Sequence, residues 1–260
     1  MATLDGRPAS ADDLLALALT NVGHFTSMRF SEDGSIRGLT LHMERLTRDC
    51  KIVWDADLDI ARVRSYIRQV LENQQTPCVV RVTIFDPTVD VGHPAEAHDP
   101  HILVSARKAD TLPPQPMRVR STVYQRTFPE VKHTGLFGAI YTRGLAQRIN
   151  FDDVLFIGRD GLVSEGCTWN AGFVDQEGTV VWPQAPALPG VTMELLQQNV
   201  EHRVATVTLD QATGMAAAFA TNALIGVCSL AAIDDTEFPL KHPVLRQLQE
   251  KYLQIPGEAL

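Results

Sequence analysis

The sequence predicts a mixed α+β fold in two domains, with hairpin-rich sheets and flanking helices. Three observations predict it. Short apolar–polar alternating stretches recur, several of them joined by Asp-Gly or Glu-Gly turns. Segments with apolar residues at helical spacing interrupt them. The order of the two kinds of segment is not the regular β-α-β alternation of a doubly wound sheet. Punctuation sets the domains. In Lys108-Ala-Asp-Thr-Leu-Pro-Pro-Gln-Pro-Met117 three prolines fall within four residues, which neither a helix nor a central strand accepts. Residues 1–110 read as a small N-terminal domain, 111–117 as a linker and 118–260 as a larger domain.

Each element follows from local pattern. Phe25-Thr-Ser-Met-Arg-Phe30 and Ser35-Ile-Arg-Gly-Leu-Thr-Leu41 flank Glu32-Asp-Gly34 and read as two strands about a tight turn. From His42 onward, Met43, Leu46 and Cys50 keep helix spacing, and Ile60 to Leu71 reads as a second helix. Cys78–Phe85 and Ile102–Ala106 read as strands of a hairpin across a long polar loop, 86–100. In the second half, Met117 to Tyr124 alternates as a strand and Leu136 to Ile149 reads as a helix. Asp153-Val-Leu-Phe-Ile-Gly158 reads as a strand, and hairpin turns fall at Asp160-Gly161 and Glu177-Gly178. Leu188-Pro-Gly-Val-Thr192 introduces a helix starting near Thr192.

Composition narrows the function classes. The chain has 260 residues, 45% hydrophobic, which is enough for a buried core. Its net charge is −8 with no basic block, so nucleic acid is not an expected partner. The apolar runs Met215–Phe219 and Ala223–Val227 are too short to span a bilayer, and the first residues lack a basic and an apolar signal region. A cytoplasmic protein is expected. Cys50, Cys78, Cys167 and Cys228 form no Cys-x-x-Cys pair, so neither a metal site nor a disulfide framework is expected, and each reads as a small buried hydrophobe. Trp169 and Trp182 read as core or interface aromatics.

The chemistry is carried by Lys132, in Phe128-Pro-Glu-Val-Lys-His-Thr-Gly135, and by Glu165, in Asp160-Gly-Leu-Val-Ser-Glu-Gly166, 33 residues later. A helix-like stretch, a strand and an Asp-Gly turn separate them. This layout is the one expected where a lysine holds pyridoxal phosphate as a Schiff base and an acid faces the pyridine nitrogen. The amine condenses with an aldehyde, and the acid keeps the ring protonated so that it accepts electrons.

Five segments in order carry a resemblance to the class IV aminotransferases, the fold-type IV pyridoxal phosphate enzymes, from Asp5-Gly6 to about Ile233. Phe25-Thr-Ser-Met-Arg29 resembles the family's Phe-Glu-x-Ile-Arg strand, and His42-Met-Glu-Arg-Leu46 its His-x-x-Arg-Leu helix. Lys132 falls at the Schiff-base lysine. Val163-Ser-Glu-Gly-Cys-Thr-Trp-Asn170 resembles the Ser/Thr-Glu-Gly-x-x-x-Asn block, and Leu188-Pro-Gly-Val-Thr192 the phosphate turn. The resemblance implies that Lys132 is the catalytic, cofactor-linked lysine, that Glu165 meets the pyridinium nitrogen and that Arg45 meets the phosphate. It also implies that Val191, Thr192, Thr221 and Asn222 surround that phosphate, the first two at a helix N-terminus, where anions bind well.

The same resemblance implies a substrate side near Thr26 and Phe137, while His24 reads as either a core histidine or a substrate-pocket residue. Here the chain departs from the pattern. Thr26 stands where many relatives carry glutamate, Phe137 where branched-chain enzymes carry tyrosine, and Val22 where an aromatic is common. The implied function is a transaminase that moves an amino group between a small amino acid or amine and a 2-oxo acid, working as a homodimer. Phe25-Thr-Ser-Met-Arg and Thr221-Asn-Ala-Leu resemble segments of the aminodeoxychorismate lyases, so a lyase that releases pyruvate is the second expectation. A pyridoxal phosphate-binding protein without turnover is the third.

Overall fold

A computed structural model describes residues 2–72 and 74–260. Its contacts divide the chain into two units. The first runs to Asp110 and takes in Val131–Gly135 and Gly257–Leu260, while the second comprises Thr111–Glu130 and Leu136–Pro256.

In the first unit β1 (Ala2–Leu4) and β2 (Arg7–Pro8) form a hairpin, followed by α1 (Leu15–Thr20), β3 (His24–Phe30), α2 (Leu39–Trp54), α3 (Ile60–Leu71), β4 (Cys78–Phe85) and β5 (His101–Lys108). Among the described residues these strands make a five-stranded antiparallel sheet in the order β2-β1-β5-β4-β3. The β3–β4 register sets Thr26 opposite Val82, Met28 opposite Val80 and Ser27 opposite Arg81. One face of this pairing, with Met28, Val80, Val82 and Ile84, belongs to a core that includes Leu39, Met43 and Leu46 of α2 and Val63 and Ile67 of α3. Strand alternation therefore puts Phe25, Arg81 and Thr83 on the opposite face. The Asp59 side chain accepts the Arg62 N–H and caps α3, an interaction worth about 1 kcal/mol. The long loop after β4 is organised by buried Asp86, whose carboxylate accepts from the Thr88 N–H and hydroxyl and from the Asp99 N–H.

The segment 35–41, expected as a strand, is not one. Only Ile36 bridges to Phe30, and α2 has already begun at Leu39, earlier than the expected His42. Gly38 adopts φ +69°, a left-handed conformation that glycine accepts without a Cβ penalty, and the chain turns there into the helix. Leu39 then joins Met43, Leu46 and Cys50 on one buried stripe.

The second unit holds β6 (Met117–Val123), α4 (Phe137–Gln147), β7 (Asp153–Ile157), β8 (Val163–Gly166), β9 (Asn170–Val174), β10 (Val180–Pro183), α5 (Val191–Asn199), β11 (His202–Ala205), α6 (Leu209–Thr213), β12 (Ala217–Asn222), β13 (Gly226–Ile233), β14 (Thr236–Glu237) and α7 (Pro243–Gln254). Its strands run β11-β10-β9-β12-β13-β6-β7-β8, and β14 pairs with β13. β8 also pairs with β9, through Glu165 opposite Asn170, so β9-β12-β13-β6-β7-β8 close on themselves as a ring. Leu155, Trp169, Phe173, Ala218, Ala220 and Leu230 share one core cluster, and Trp182 packs edge-on against Phe219 with ring centroids 5.2 Å apart. All four cysteines are free and buried. No helix among the described residues is long and apolar enough to cross a membrane. The mixed α+β expectation is met.

Candidate active site

Lys132 lies in the first unit, although it follows β6 in the chain. The Lys132 carbonyl accepts the Phe25 N–H at 2.9 Å, and the Thr134 N–H donates to the Gly23 carbonyl at 2.8 Å. The pair His24–His133 bridges antiparallel, so Val131–Gly135 lies along the edge strand β3. The Lys132 amine stands 4.9 Å from the centroid of the Phe25 ring, and the Arg81 guanidinium carbon stands 3.7 Å from the same centroid. Arg81 is half-buried, and burial lowers its pKa. Its Nε donates to the Thr83 hydroxyl at 3.1 Å, and no carboxylate among the described residues pairs with it.

On the helix-facing side of β3 a second cluster forms. Arg45 of α2 is buried, and its Nη2 donates to the Thr26 hydroxyl. That hydroxyl stands 2.7 Å from His42 Nδ1. Burial first, then the charges of Arg45 and Lys132, hold the His42 pKa well below its ordinary value. Arg45 Nη2 also lies 3.3 Å from His42 Nδ1, so the three side chains share one buried polar contact. His24 is also fully buried, and neither of its ring nitrogens has a hydrogen-bond partner among the described residues. Its pKa is pushed down to about 3, by burial first and by Arg45 second. Thr26 thus anchors Arg45 from within the core.

In the second unit Glu165 sits where the ring of strands closes. Its Oε1 lies 3.1 Å from Arg126 Nε, and both side chains are almost fully buried. Removing two ions from water costs several kcal/mol each, so the pair is poorly explained by stability alone. Glu165 Oε2 accepts the Leu188 N–H at 3.1 Å, while Asn170 Nδ2 donates to the Leu188 carbonyl at 2.7 Å. These two side chains clamp the Leu188–Gly190 turn from both sides. Gly190 follows, so close to Asn170 Oδ1 that a Cβ there would collide with it. Then α5 begins, with Val191 and Thr192 buried and no side chain capping its first turn. Its first N–H groups therefore lack a side-chain cap, and the helix dipole adds positive potential there.

The Thr221 hydroxyl is buried and donates to the Gly226 carbonyl at 2.7 Å. Asn222 Oδ1 accepts from the Leu224 and Ile225 N–H groups, and its Nδ2 donates to the Thr168 carbonyl. Both side chains shape the β12–β13 turn. Phe137 opens α4, is 79% exposed and stacks on Tyr141. Three residues that the sequence reading does not single out have defined parts: Arg81, Arg126 and Asp49, whose carboxylate accepts the Lys132 N–H. Only Arg81 leaves a trace in the sequence, as the one charge in the strand Cys-Val-Val-Arg-Val-Thr-Ile-Phe.

The fold is that of transaminase and lyase scaffolds. A branched-chain aminotransferase from the archaeon Thermoproteus uzoniensis, solved with norvaline, matches over 97% of this chain and 93% of its own, with TM-score 0.87 and 18% identity. A chain named as a candidate 4-amino-4-deoxychorismate lyase from Legionella pneumophila matches over 96% of both chains, with TM-score 0.84 and 18% identity. A hypothetical aminotransferase from Mycobacterium tuberculosis in a pyridoxal phosphate-bound form matches over 97% of both chains, with TM-score 0.79 and 15% identity. No curated protein matches the sequence. The sequence profile described as "Amino-transferase class IV" matches residues 23–233, and the chain belongs to that family of pyridoxal phosphate-dependent enzymes.

The residues present suit that cofactor. The first unit offers a buried guanidinium and a lysine bonded at both backbone groups, and the second a buried carboxylate and an uncapped helix start built round Gly190, the kinds of group that cofactor requires.

Proposed function

We propose that the protein is a transaminase that moves an amino group between a carboxylate-bearing amino donor and a 2-oxo acid, with Lys132 as its catalytic residue. The observation that supports this substrate class most directly is Arg81. A half-buried cation with no carboxylate partner, set over the same ring as the Lys132 amine, is suited to a substrate carboxylate. Pyridoxal phosphate, when bound, supplies an aldehyde that condenses with amines and a ring that takes up the electron pair of the broken C–H bond. Lys132 Nζ takes the α-proton and later returns it. Glu165 holds a proton on the ring nitrogen. Arg45, by the family resemblance, and the first turn of α5, by its uncapped N–H groups, are each suited to a phosphate.

Arg81→Ala is expected to raise KM for amino and 2-oxo acids by roughly 10- to 100-fold, the worth of one charge-assisted pair, while leaving KM for simple amines nearly unchanged. Steady-state kinetics on both substrate types measures this. Equal effects on amines and amino acids would remove Arg81 from substrate recognition. The lyase is the second reading, supported by the Phe25-Thr-Ser-Met-Arg and Thr221-Asn-Ala-Leu segments. A transaminase requires an amino acceptor and accumulates the aminated cofactor when the acceptor is left out. Sustained pyruvate release without an acceptor would overturn the first reading in favour of the second. A protein that binds cofactor without turnover is disfavoured by the joint presence of Lys132, Glu165 and Arg45.

We also propose a homodimer. Leu15 and Leu19, one turn apart on α1, are 54% and 75% exposed, a small apolar surface that a two-fold partner would cover. Light scattering is expected to give twice the chain mass of 28.6 kDa. A mass of one chain in a fully active sample would overturn the dimer.

A further inference from the structure

We infer that Asp49 is a positioning residue for Lys132, fixing the backbone from which the reactive amine extends. The inference rests on the proposed role of Lys132. Asp49 is fully buried in α2. Its Oδ2 accepts the Lys132 N–H at 2.9 Å, and its Oδ1 accepts from Arg48 Nε and Nη2 at 3.2 and 2.8 Å. The lysine segment lies outside the named strands, so the Lys132 N–H needs a partner from elsewhere. On its other side the Lys132 carbonyl is held by the Phe25 N–H, and the Thr134 hydroxyl donates to the Asn21 carbonyl at 2.7 Å. The residue is thus gripped at both backbone groups, once by a charged acceptor.

The neighbours on α2 show that packing alone does not call for an acid. On α2 Asp49 shares a face with buried His42 and Arg45, beside the stripe of Leu46 and Cys50, and an apolar side chain there would avoid the desolvation of a carboxylate. Arg48 offsets that cost only in part, since its side chain is 44% exposed. What an acid adds is a strong, directional acceptor for one N–H. Its place adds a second feature. Asp49 follows Arg45 by four residues, hence by one turn on the same face, a rise of about 6 Å. One rigid helix therefore carries both the guanidinium proposed for the phosphate and the acceptor that sets Lys132. Displacing a reacting group by about 1 Å costs up to roughly 100-fold in rate, so this spacing bears on turnover as well as on folding.

The test compares Asp49→Ala with Asp49→Asn in the cofactor-loaded protein. Asparagine can present its carbonyl oxygen to the Lys132 N–H, with its amide on the side of Arg48, whose side chain is 44% exposed. Amide hydrogen exchange is read on the peptide that contains Lys132, and kcat and KM are read separately. In D49A, exchange at this peptide is expected to quicken by roughly 10- to 100-fold. Its kcat is expected to fall about tenfold or more, with KM within about threefold. D49N is expected to recover most of both. If D49A is insoluble, Asp49→Ser, whose shorter side chain does not reach, carries the same comparison. Exchange and kcat unchanged in D49A, or D49N as impaired as D49A in both readouts, overturns the inference. Borohydride fixation of cofactor in the wild-type protein, mapped to a peptide, reports on Lys132 itself. A failure there removes the parent reading, while the exchange data still decide whether Asp49 holds the segment.

Discussion

Lys132→Ala is expected to lower turnover by roughly 10⁴-fold or more, the upper range of what a positioned acid–base group contributes, because the same amine also holds the cofactor. The variant should remain folded. The bonds that fix the segment are those of the Lys132 backbone to Asp49 and Phe25, and alanine keeps both groups. The residues proposed for the phosphate are also untouched, so cofactor should still bind, now without a covalent link. Three measurements check this. Borohydride treatment of the wild-type protein should fix the cofactor to the peptide containing Lys132 and should fix none in the variant. Single-turnover kinetics should show proton transfer lost while cofactor remains bound. Small external amines should restore part of the rate. The chain's other lysines are Lys51, Lys108, Lys241 and Lys251, and an adduct on any of them would move the chemistry away from Lys132.

How much of this was legible in the sequence depends on how local the determining forces are. α3 and the strands Cys78–Phe85 and Met117–Val123 agree closely with the pattern reading, because periodic burial writes itself into consecutive residues. Segment 35–41 misleads because a short alternating run can belong to a turn and a helix start. Left-handed Gly38 decides between them, and no periodicity reports it. The family was legible because five short blocks occur in order. Arg126 and Asp49 were not. Their parts come from partners brought near by the fold, as in the Asp49–Lys132 bond across 83 positions. Thr26 shows the same limit. The resemblance implies the substrate side for it, while strand alternation puts it on the α2-facing side of β3, against Arg45 and His42.

Glu165→Gln is expected to lower turnover by roughly 100- to 1,000-fold at saturating cofactor, the loss that follows from one charged hydrogen bond worth about 2–4 kcal/mol in the transition state. Arg126 Nε lies 3.1 Å from one carboxylate oxygen as an ion pair, and the other oxygen accepts the Leu188 N–H. Each oxygen keeps a further lone pair for a protonated ring nitrogen. Glutamine has one acceptor and two donors at that end. It cannot face Arg126 and Leu188 together without setting an N–H against one of them, and it cannot hold a proton on the ring. Two effects therefore separate. Leaving the buried Arg126 without its anion should lower stability by several kcal/mol, read as a lower melting temperature. The loss of turnover should persist at temperatures where circular dichroism shows the variant folded, because it arises from the missing charge. A cofactor analogue with a permanent positive charge on the ring nitrogen distinguishes the two, since its ring needs no acid. It should restore much of the rate of E165Q and leave the melting temperature low. Turnover within about threefold of the wild type in folded E165Q would mean that another group meets the ring nitrogen and that the Arg126–Glu165 pair is structural alone.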